Sequence, residues 1–413
     1  MITRLSRVGS LAWRFMAVAG ISVAAWWSSR LAYADFLHSK QTTELVRKAA
    51  ALVPNNSDYH SRLAELTYDD DPRGSASELR IALSHNPRDS KAWIELGLRA
   101  EFDGRYAEAE RHLLEAARVD TQYVPKWTLA NYYFRRQQSE EFWLWSRESA
   151  AMTISDPAPL FRLCLLMSPD ASGLIEKLNI TKPEIIARYL ELVISENKSD
   201  ALTSTAGQLL RFARPKDTPL LLTTCDRLLA NKEVSRALEL WNGLCERHSL
   251  PYPAIPASGG TALTNPEWRF SPVSQGFDWR LPQIHGVAVA RQDNAEGLRI
   301  GFSGRQPEGS EVLSQIVPIR AGRSYIFESV YRTNGIAPQS GLFWQVLDLT
   351  TGRPLTIGKD SLSHDTETTA TLSFRSLPVT QAVRLSLVYQ RAIGTTRIEG
   401  AIWLRGTRLT ATD

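Results

Sequence analysis

The sequence predicts a multidomain α plus β protein: an N-terminal membrane helix, an α-helical repeat solenoid and a C-terminal antiparallel β-sandwich. Three observations predict it. An arginine-flanked apolar run opens the chain, leucines recur at a fixed interval through the first half, and beyond about residue 260 the hydrophobic pattern turns from helical spacing to alternation.

At 413 residues the chain suits two or three domains, each with its own core. Its 48 basic and 44 acidic residues leave a formal charge of +4, a nearly balanced surface rather than the strong field of a nucleic-acid binder. Cys164, Cys225 and Cys245 are too few, and too irregularly spaced, for a disulfide framework or a zinc site, and read as buried small apolar residues.

Residues 1–32 form the anchor or signal segment. Arg4, Arg7 and Arg14 precede an uncharged stretch from Phe15 to Ser29, which ends at Arg30. Positive charge before an apolar run holds that end in the cytoplasm and sends the downstream chain across the membrane, which places the bulk of the protein in the periplasm. Two outcomes fit. Leu11 to Ser29, with Arg14 snorkelling, is long enough for a single-pass span of ~20 residues, and Trp26 and Trp27 sit where an interfacial aromatic belt would. Ala32-Tyr33-Ala34 also matches the small-x-small pattern of a secretory signal, and cleavage after Ala34 would release the chain. The uncleaved anchor is preferred, because Tyr33 to Val53 continues as helix-compatible sequence.

Residues 33–168 carry helical periodicity broken at Pro54-Asn55, Asp71-Pro72, Asn86-Pro87 and Asp156-Pro157. Leu63, Leu96 and Leu129 follow one another at intervals of 33, each with a small residue next to it (Ala64, Gly97, Ala130), and Ala76 and Ala109 repeat the interval. Such a period, with small residues where helices cross, means helix-turn-helix units stacked into a solenoid. The stretch Trp93, Leu96, Gly97, Gly104, Ala109, Leu113 and Ala116 resembles a tetratricopeptide repeat, although Ala100 and Leu113 stand where that family usually has aromatics. The resemblance implies protein docking, for which Trp127, Asn131, Tyr132 and Arg135 in the most aromatic helix are the candidates. The competing reading of that helix is an inward face of packed helices, with Trp127, Asn131 and Phe134 on one stripe. Residues 169–248 read as an irregular helical extension.

Residues 249–264 form a linker rich in Pro, Gly and small residues. From 265 to 410, eight alternating runs are predicted strands: 286–290, 298–302, 313–319, 324–332, 342–348, 370–374, 383–389 and 401–409. The order of Gly276-Phe277-Asp278-Trp279, Leu298 to Gly304, Ser314 to Tyr325, Tyr331-Arg332-Thr333 and Ile402-Trp403-Leu404 resembles carbohydrate-binding-module and galactose-binding-like jelly rolls. If that resemblance extends to function, Trp279, Tyr331, Arg332, Trp344 and Tyr389 are the candidate glycan-binding residues, since an aromatic face stacks on a pyranose and Arg donates to its hydroxyls. Each aromatic has core packing as its competing fate, and for Trp344 and Val346 the shared strand face makes that explicit.

No Walker loop, dinucleotide fingerprint, HExxH or CxxC motif is present. Gly301-Phe302-Ser303-Gly304-Arg305 lacks both the final glycine and the succeeding helix of a nucleophile elbow. Asp278, Glu328, Asp348 and Glu399 are carboxylates in or near strands, but sequence does not show that any two converge. No catalytic residue, cofactor, metal or nucleic-acid partner is predicted. The complete layout resembles repeat proteins found with bacterial exopolysaccharide assembly and export, which implies partners among envelope, secretion or polysaccharide-assembly proteins, and polysaccharide itself. A purely protein-binding adaptor and a polysaccharide-active enzyme are the alternatives.

Overall fold

The computed structural model describes residues 2–152, 156–212, 214–256, 260–292 and 297–412, with side chains from Trp13 onward. Arg4 and Arg7 of the N-terminal segment, as side chains, and residues 257–259 of the linker lie outside that description. The chain divides into two compact units, one of Met1–Pro169 with Glu176–Ile180 and one of Asp170–Ile175 with Thr181–Asp413.

The first unit contains α1 (Ile2–Ser39), α2 (Thr43–Leu52), α3 (Ser57–Thr67), α4 (Pro72–His85), α5 (Ser90–Phe102), α6 (Tyr106–Val119), α7 (Tyr123–Arg135), α8 (Ser139–Ala150) and α9 (Ala158–Met167). The breaks in the sequence are helix starts. Asn56, Asp71 and Asp89 each stand at the N-cap, and their side chains accept from the amides of Asp58, Gly74 and Ala92. Consecutive helices pair as α3 with α4, α5 with α6 and α7 with α8. Leu63, Leu96 and Leu129 are buried, as are Ala64, Ala109 and Ala130. The small residue at Gly97 has a direct cause: a Cβ there would come 2.6 Å from Leu113 and 3.3 Å from the Ala109 carbonyl, so α5 and α6 are in close contact at that point. Gly104, with φ +75°, makes the turn between them. These are tetratricopeptide-like pairs.

Helix α1 runs without a break from the apolar segment into this unit. Its last turns pack Ala34 and Leu37 against Ala49, Ala50 and Tyr59. Among the described residues, no helix is long and apolar enough to cross a membrane, so the structure shows a helix at this place and does not show a span. Arg14, together with the serines and paired tryptophans towards Ser29, holds the mean hydropathy of the segment down.

The second unit contains α11 (Pro183–Ser195), α12 (Ser199–Leu210), α13 (Thr218–Ala230) and α14 (Val234–Glu246); α10 (Leu174–Lys177) lies in the stretch that is divided between the units. Among the described residues nine strands come next: β1 (Val287–Gln292), β2 (Gly297–Ser303), β3 (Gly309–Pro318), β4 (Ser324–Asn334), β5 (Leu342–Asp348), β6 (Pro354–Ile357), β7 (Thr368–Arg375), β8 (Ala382–Gln390) and β9 (Glu399–Ala411). They form a five-stranded sheet of order β1-β2-β9-β4-β7 and a four-stranded sheet of order β3-β8-β5-β6, with every pair antiparallel. Each of the eight alternating runs is a strand; β6, short and opening on a proline at a sheet edge, has no alternation to detect.

The core between the sheets is strongly aromatic. Trp279 lies 4.7 Å from Trp268 and 6.1 Å from Trp344, centroid to centroid, and Trp344 meets Phe327 edge-on at 4.9 Å.

Among its described residues the segment between α14 and β1 carries no helix, and several of them are tied down. Asn242 of α14 exchanges two hydrogen bonds with the backbone of Ile255, at 2.7 and 2.8 Å. Trp241, fully buried, stacks on Tyr252 and meets Phe277 edge-on. Asp226 of α13 accepts from the Gly276 amide at 2.8 Å and from the Arg280 guanidinium at 2.6 Å. Helices α13 and α14 are thus bonded to the edge of the sandwich.

Candidate functional site

Alternation decides which side chains of the sandwich reach its surface. On β2 the inward residues are Leu298, Ile300 and Phe302; on β9 they include Ile402 and Leu404. Their neighbours Arg299 and Trp403 therefore point outward, and the register sets them directly opposite one another. Arg332 of β4, which alternates with buried Tyr331 and Thr333, is opposite Trp403 on its other side. Three adjacent strands thereby place Arg299, Trp403 and Arg332 in one row on the outer face of the five-stranded sheet.

The half-buried Trp403 indole receives both guanidinium groups, Arg332 at 4.4 Å and Arg299 at 5.5 Å from a ring centroid. The next row across the same strands is Ala288, Gly301, Ala401 and Asn334. Small residues beside a large ring leave a step, and the Arg299 guanidinium reaches over it to within 3.4 Å of where a Gly301 Cβ would sit. Chemically this is a surface aromatic with cationic donors lying over its ring, a cluster that can donate to the hydroxyls of a sugar and offer it the indole where a guanidinium moves aside.

The structure corrects most of the glycan-binding candidates. Trp279 and Tyr389 are 0% exposed, Trp344 1% and Tyr331 3%, and all four belong to the core between the sheets. They occupy the inward phase of their strands or, for Trp279, the segment that closes the core, and none offers a face to a ligand. Arg332 alone of the five reaches the surface. Trp403, outside that set of five, is the surface aromatic that accompanies it.

The carboxylates are placed as follows. Asp278 is fully buried and accepts from the Tyr252 hydroxyl at 2.7 Å and from the amides of Val273 and Trp279 at 2.6 and 2.8 Å. Burial pushes its pKa up, against the pull of those donors. Asp348, also buried, accepts from the amides of Thr350 and Thr351 and from the Thr380 hydroxyl, which makes it a turn cap. Glu328 faces Arg408 across a strand pair, and Glu399 is exposed at the start of β9. Among the described residues, no group of three or more His, Cys, Asp or Glu is arranged to hold a metal ion. All three cysteines are buried, and burial pushes the Cys164 and Cys245 thiols up to about 12.

The second candidate surface is a groove of about 740 Å³ in the helical unit, lined by the opening helices of successive pairs through Arg62, Glu65, Lys91, Glu95, Arg99 and Val124 among others. Arg99 is buried, donates to Ser75 Oγ at 2.8 Å and stacks over Tyr68 at 4.6 Å. Two side-chain bonds tie successive helix pairs near this groove: Ser61 of α3 donates to Asp89, the N-cap of α5, and Ser90 of α5 to Asp120, the C-cap of α6, both at 2.9 Å.

The docking candidates of α7 divide. Tyr132 is buried and donates to the Tyr106 carbonyl, because the buried stripe of α7 runs through Leu129, Ala130, Tyr132 and Tyr133. That corrects its assignment as a docking residue. Asn131 is half-buried and donates to the Trp127 carbonyl, and Trp127 is half-buried against Tyr123. Arg135 is exposed and forms a two-pronged pair with Glu101 of α5 at 2.7 and 2.6 Å.

No family model matches this sequence, and no curated protein is similar to it. Solved structures match parts of the chain. The chain is similar to the C-terminal part of a TPR repeat-containing protein from Cytophaga hutchinsonii, at 14% identity over 52% of this chain and 94% of that one, with a TM-score of 0.31. It is similar to PilF of Pseudomonas aeruginosa, at 16% identity over 54% and 90%, with a TM-score of 0.24. It is also similar to a carbohydrate-binding module of Cellvibrio mixtus lichenase 5A, solved with cellotriose, at 13% identity over 32% and 92%, with a TM-score of 0.22.

Proposed function

We propose that this protein is a non-catalytic scaffold of the bacterial cell envelope that binds glycan on the outer face of its sandwich and a protein partner in the groove of its helical unit. The observation that carries the glycan half is the Trp403 platform. Its indole faces away from a core already filled by aromatics, and it is flanked in register by Arg299 and Arg332. A sheet that needed only solubility would be served by small polar residues there; a large surface indole beneath two guanidiniums gathers donors over one ring, and a sugar that displaces a guanidinium gains the indole face. The groove supports the docking half, since a concave surface of mixed charge fits an extended or helical segment of another protein.

The apolar, arginine-framed α1 supports attachment to a membrane with the bulk of the chain in the periplasm, and the layout of anchor, repeats and sandwich is the basis for placing it among the components that assemble or export exopolysaccharide. Affinity electrophoresis of the full chain through gels containing neutral and acidic polysaccharides tests the central element. Retardation by at least one polymer that is lost in Trp403→Ala supports it; unretarded migration in every gel contradicts it.

A further inference from the structure

We infer that helix α1 is kept in the mature protein and enters lipid as a continuation of the helical unit, so that the tripeptide Ala32-Tyr33-Ala34 is not a processing site. This rests on the membrane reading of α1 given above and goes beyond it.

Three observations converge. First, the side chains from Trp13 to Ser29 are left open: Phe15, Met16, Val18, Ile21, Val23 and Trp26 are all at least 60% exposed. Apolar side chains open on every side of a helix are a large unpartnered surface in water. Secondly, charge selects the occupant. No acidic residue occurs before Asp35, whereas Arg14 and Arg30 bracket the uncharged run, a distribution that suits an apolar phase bordered by phosphate headgroups. From Phe15 to Ser29 that run measures ~22 Å at the helical rise, short of the ~30 Å hydrocarbon core, so both arginines must reach outward to headgroups or the bilayer must thin around them.

Thirdly, the end of the apolar run is latched to the folded unit. Arg30 donates its Nε–H to the Leu52 carbonyl at 2.7 Å, the last carbonyl of α2, and lies over the rings of Trp26 and Trp27 at 5.3 and 5.0 Å. One turn on, Ala34 is fully buried against α2 and α3, and Asp35 accepts from the buried Tyr59 hydroxyl. Cleavage after Ala34 would cut α1 in the middle of a hydrogen-bonded helix. It would remove the Arg30 cap of α2 and empty the Ala34 contact, leaving Asp35 at a frayed terminus. In the folded protein the packing holds this backbone helical, closed to a protease that needs it extended. The Trp26, Trp27 and Arg30 cluster then fixes the lipid surface next to the C-terminus of α2.

The test uses the full chain expressed in a bacterial host. N-terminal sequencing and intact mass of the protein from the membrane pellet are expected to show a chain that retains Arg30 to Ala34. A new terminus at Asp35 overturns the inference. Flotation of the purified full chain with phosphatidylethanolamine–phosphatidylglycerol vesicles tests the membrane reading separately. Ile21→Glu, at a position 69% exposed in the fold, is expected to lower co-flotation at least tenfold. Equal flotation of this variant and the wild type overturns lipid as the occupant, whatever terminus is found.

Discussion

Trp403 of β9 and Arg332 of β4 face one another across a strand pair, with the guanidinium carbon 4.4 Å from the indole centroid, on the sheet face turned away from the core. The pair joins an apolar surface to a fixed donor at a place where packing does not require either. Truncating Trp403 to Ala should therefore cost little stability, about 1 kcal/mol, the scale of surface cation–π contacts. Urea unfolding of the full chain checks this; a loss of several kcal/mol would mean that the indole is a packing residue.

Trp344 is the contrasting case. It is buried between Trp279 and Phe327, and its replacement by Ala leaves a cavity that the surrounding rings cannot fill. The expected cost is ~3–5 kcal/mol, seen as a lowered urea midpoint.

Gly276 holds the junction between α14 and the sandwich. Its φ is +60°, and a Cβ would come 2.5 Å from two carbons of the buried Trp241 ring. Gly276→Ala is expected to cost ~2 kcal/mol or more through the combined strain and overpacking, with the loss visible in Trp fluorescence as a changed environment of Trp241. Unchanged stability would show that the junction is looser than its bonds imply.

Buried Asp278 gives the second unit a pH dependence of defined sign. Because its folded pKa is raised, chiefly by burial, the unfolded chain loses this proton first as pH climbs. Stability is therefore highest below the unfolded value of about 3.9, falls as pH rises through the raised value, and carries the full penalty above it. The stability of the wild type relative to Asp278→Asn should decline over that window in urea titrations at successive pH values. A relative stability that rises with pH would contradict the assignment.

The contrast between Trp344 and Trp403 shows what was legible in the chain. Alternation revealed the strands, and the 33-residue interval revealed the helix pairs, because both depend on backbone period and burial alone. Alternation also divides each strand into two faces, but it does not say which face is inner. On β5 the polar Gln345 marks the solvent side and leaves Trp344 inside; on β9 the aliphatic Ile402 and Leu404 mark the core and leave Trp403 outside. Those neighbours are the available signal for Trp403. The row that joins it to Arg299 and Arg332 depends on strand order and register, and β2, β9 and β4 are far apart in sequence. The tying of α13 and α14 to the sandwich is equally hidden, since Asp226 and Arg280 carry no pattern that announces a pair.

For the groove, charge reversal separates docking from folding. Lys91 is exposed and lines the groove, and Arg62 pairs with its neighbour Glu65 along the same helix. The double variant Arg62→Glu, Lys91→Glu should lower recovery of a partner in pull-downs from envelope extract several-fold while the helical circular dichroism is preserved. Undiminished recovery would move docking to another surface.

Glycan binding at Trp403 is read from the affinity of the full chain for polysaccharide before and after Trp403→Ala, measured by calorimetry on whichever polymer retards the wild type most. A weakening of at least tenfold, about 1.4 kcal/mol, is expected, with the fold intact. Equal affinity in the variant, or a loss of binding in Trp344→Phe but not in Trp403→Ala, would contradict it.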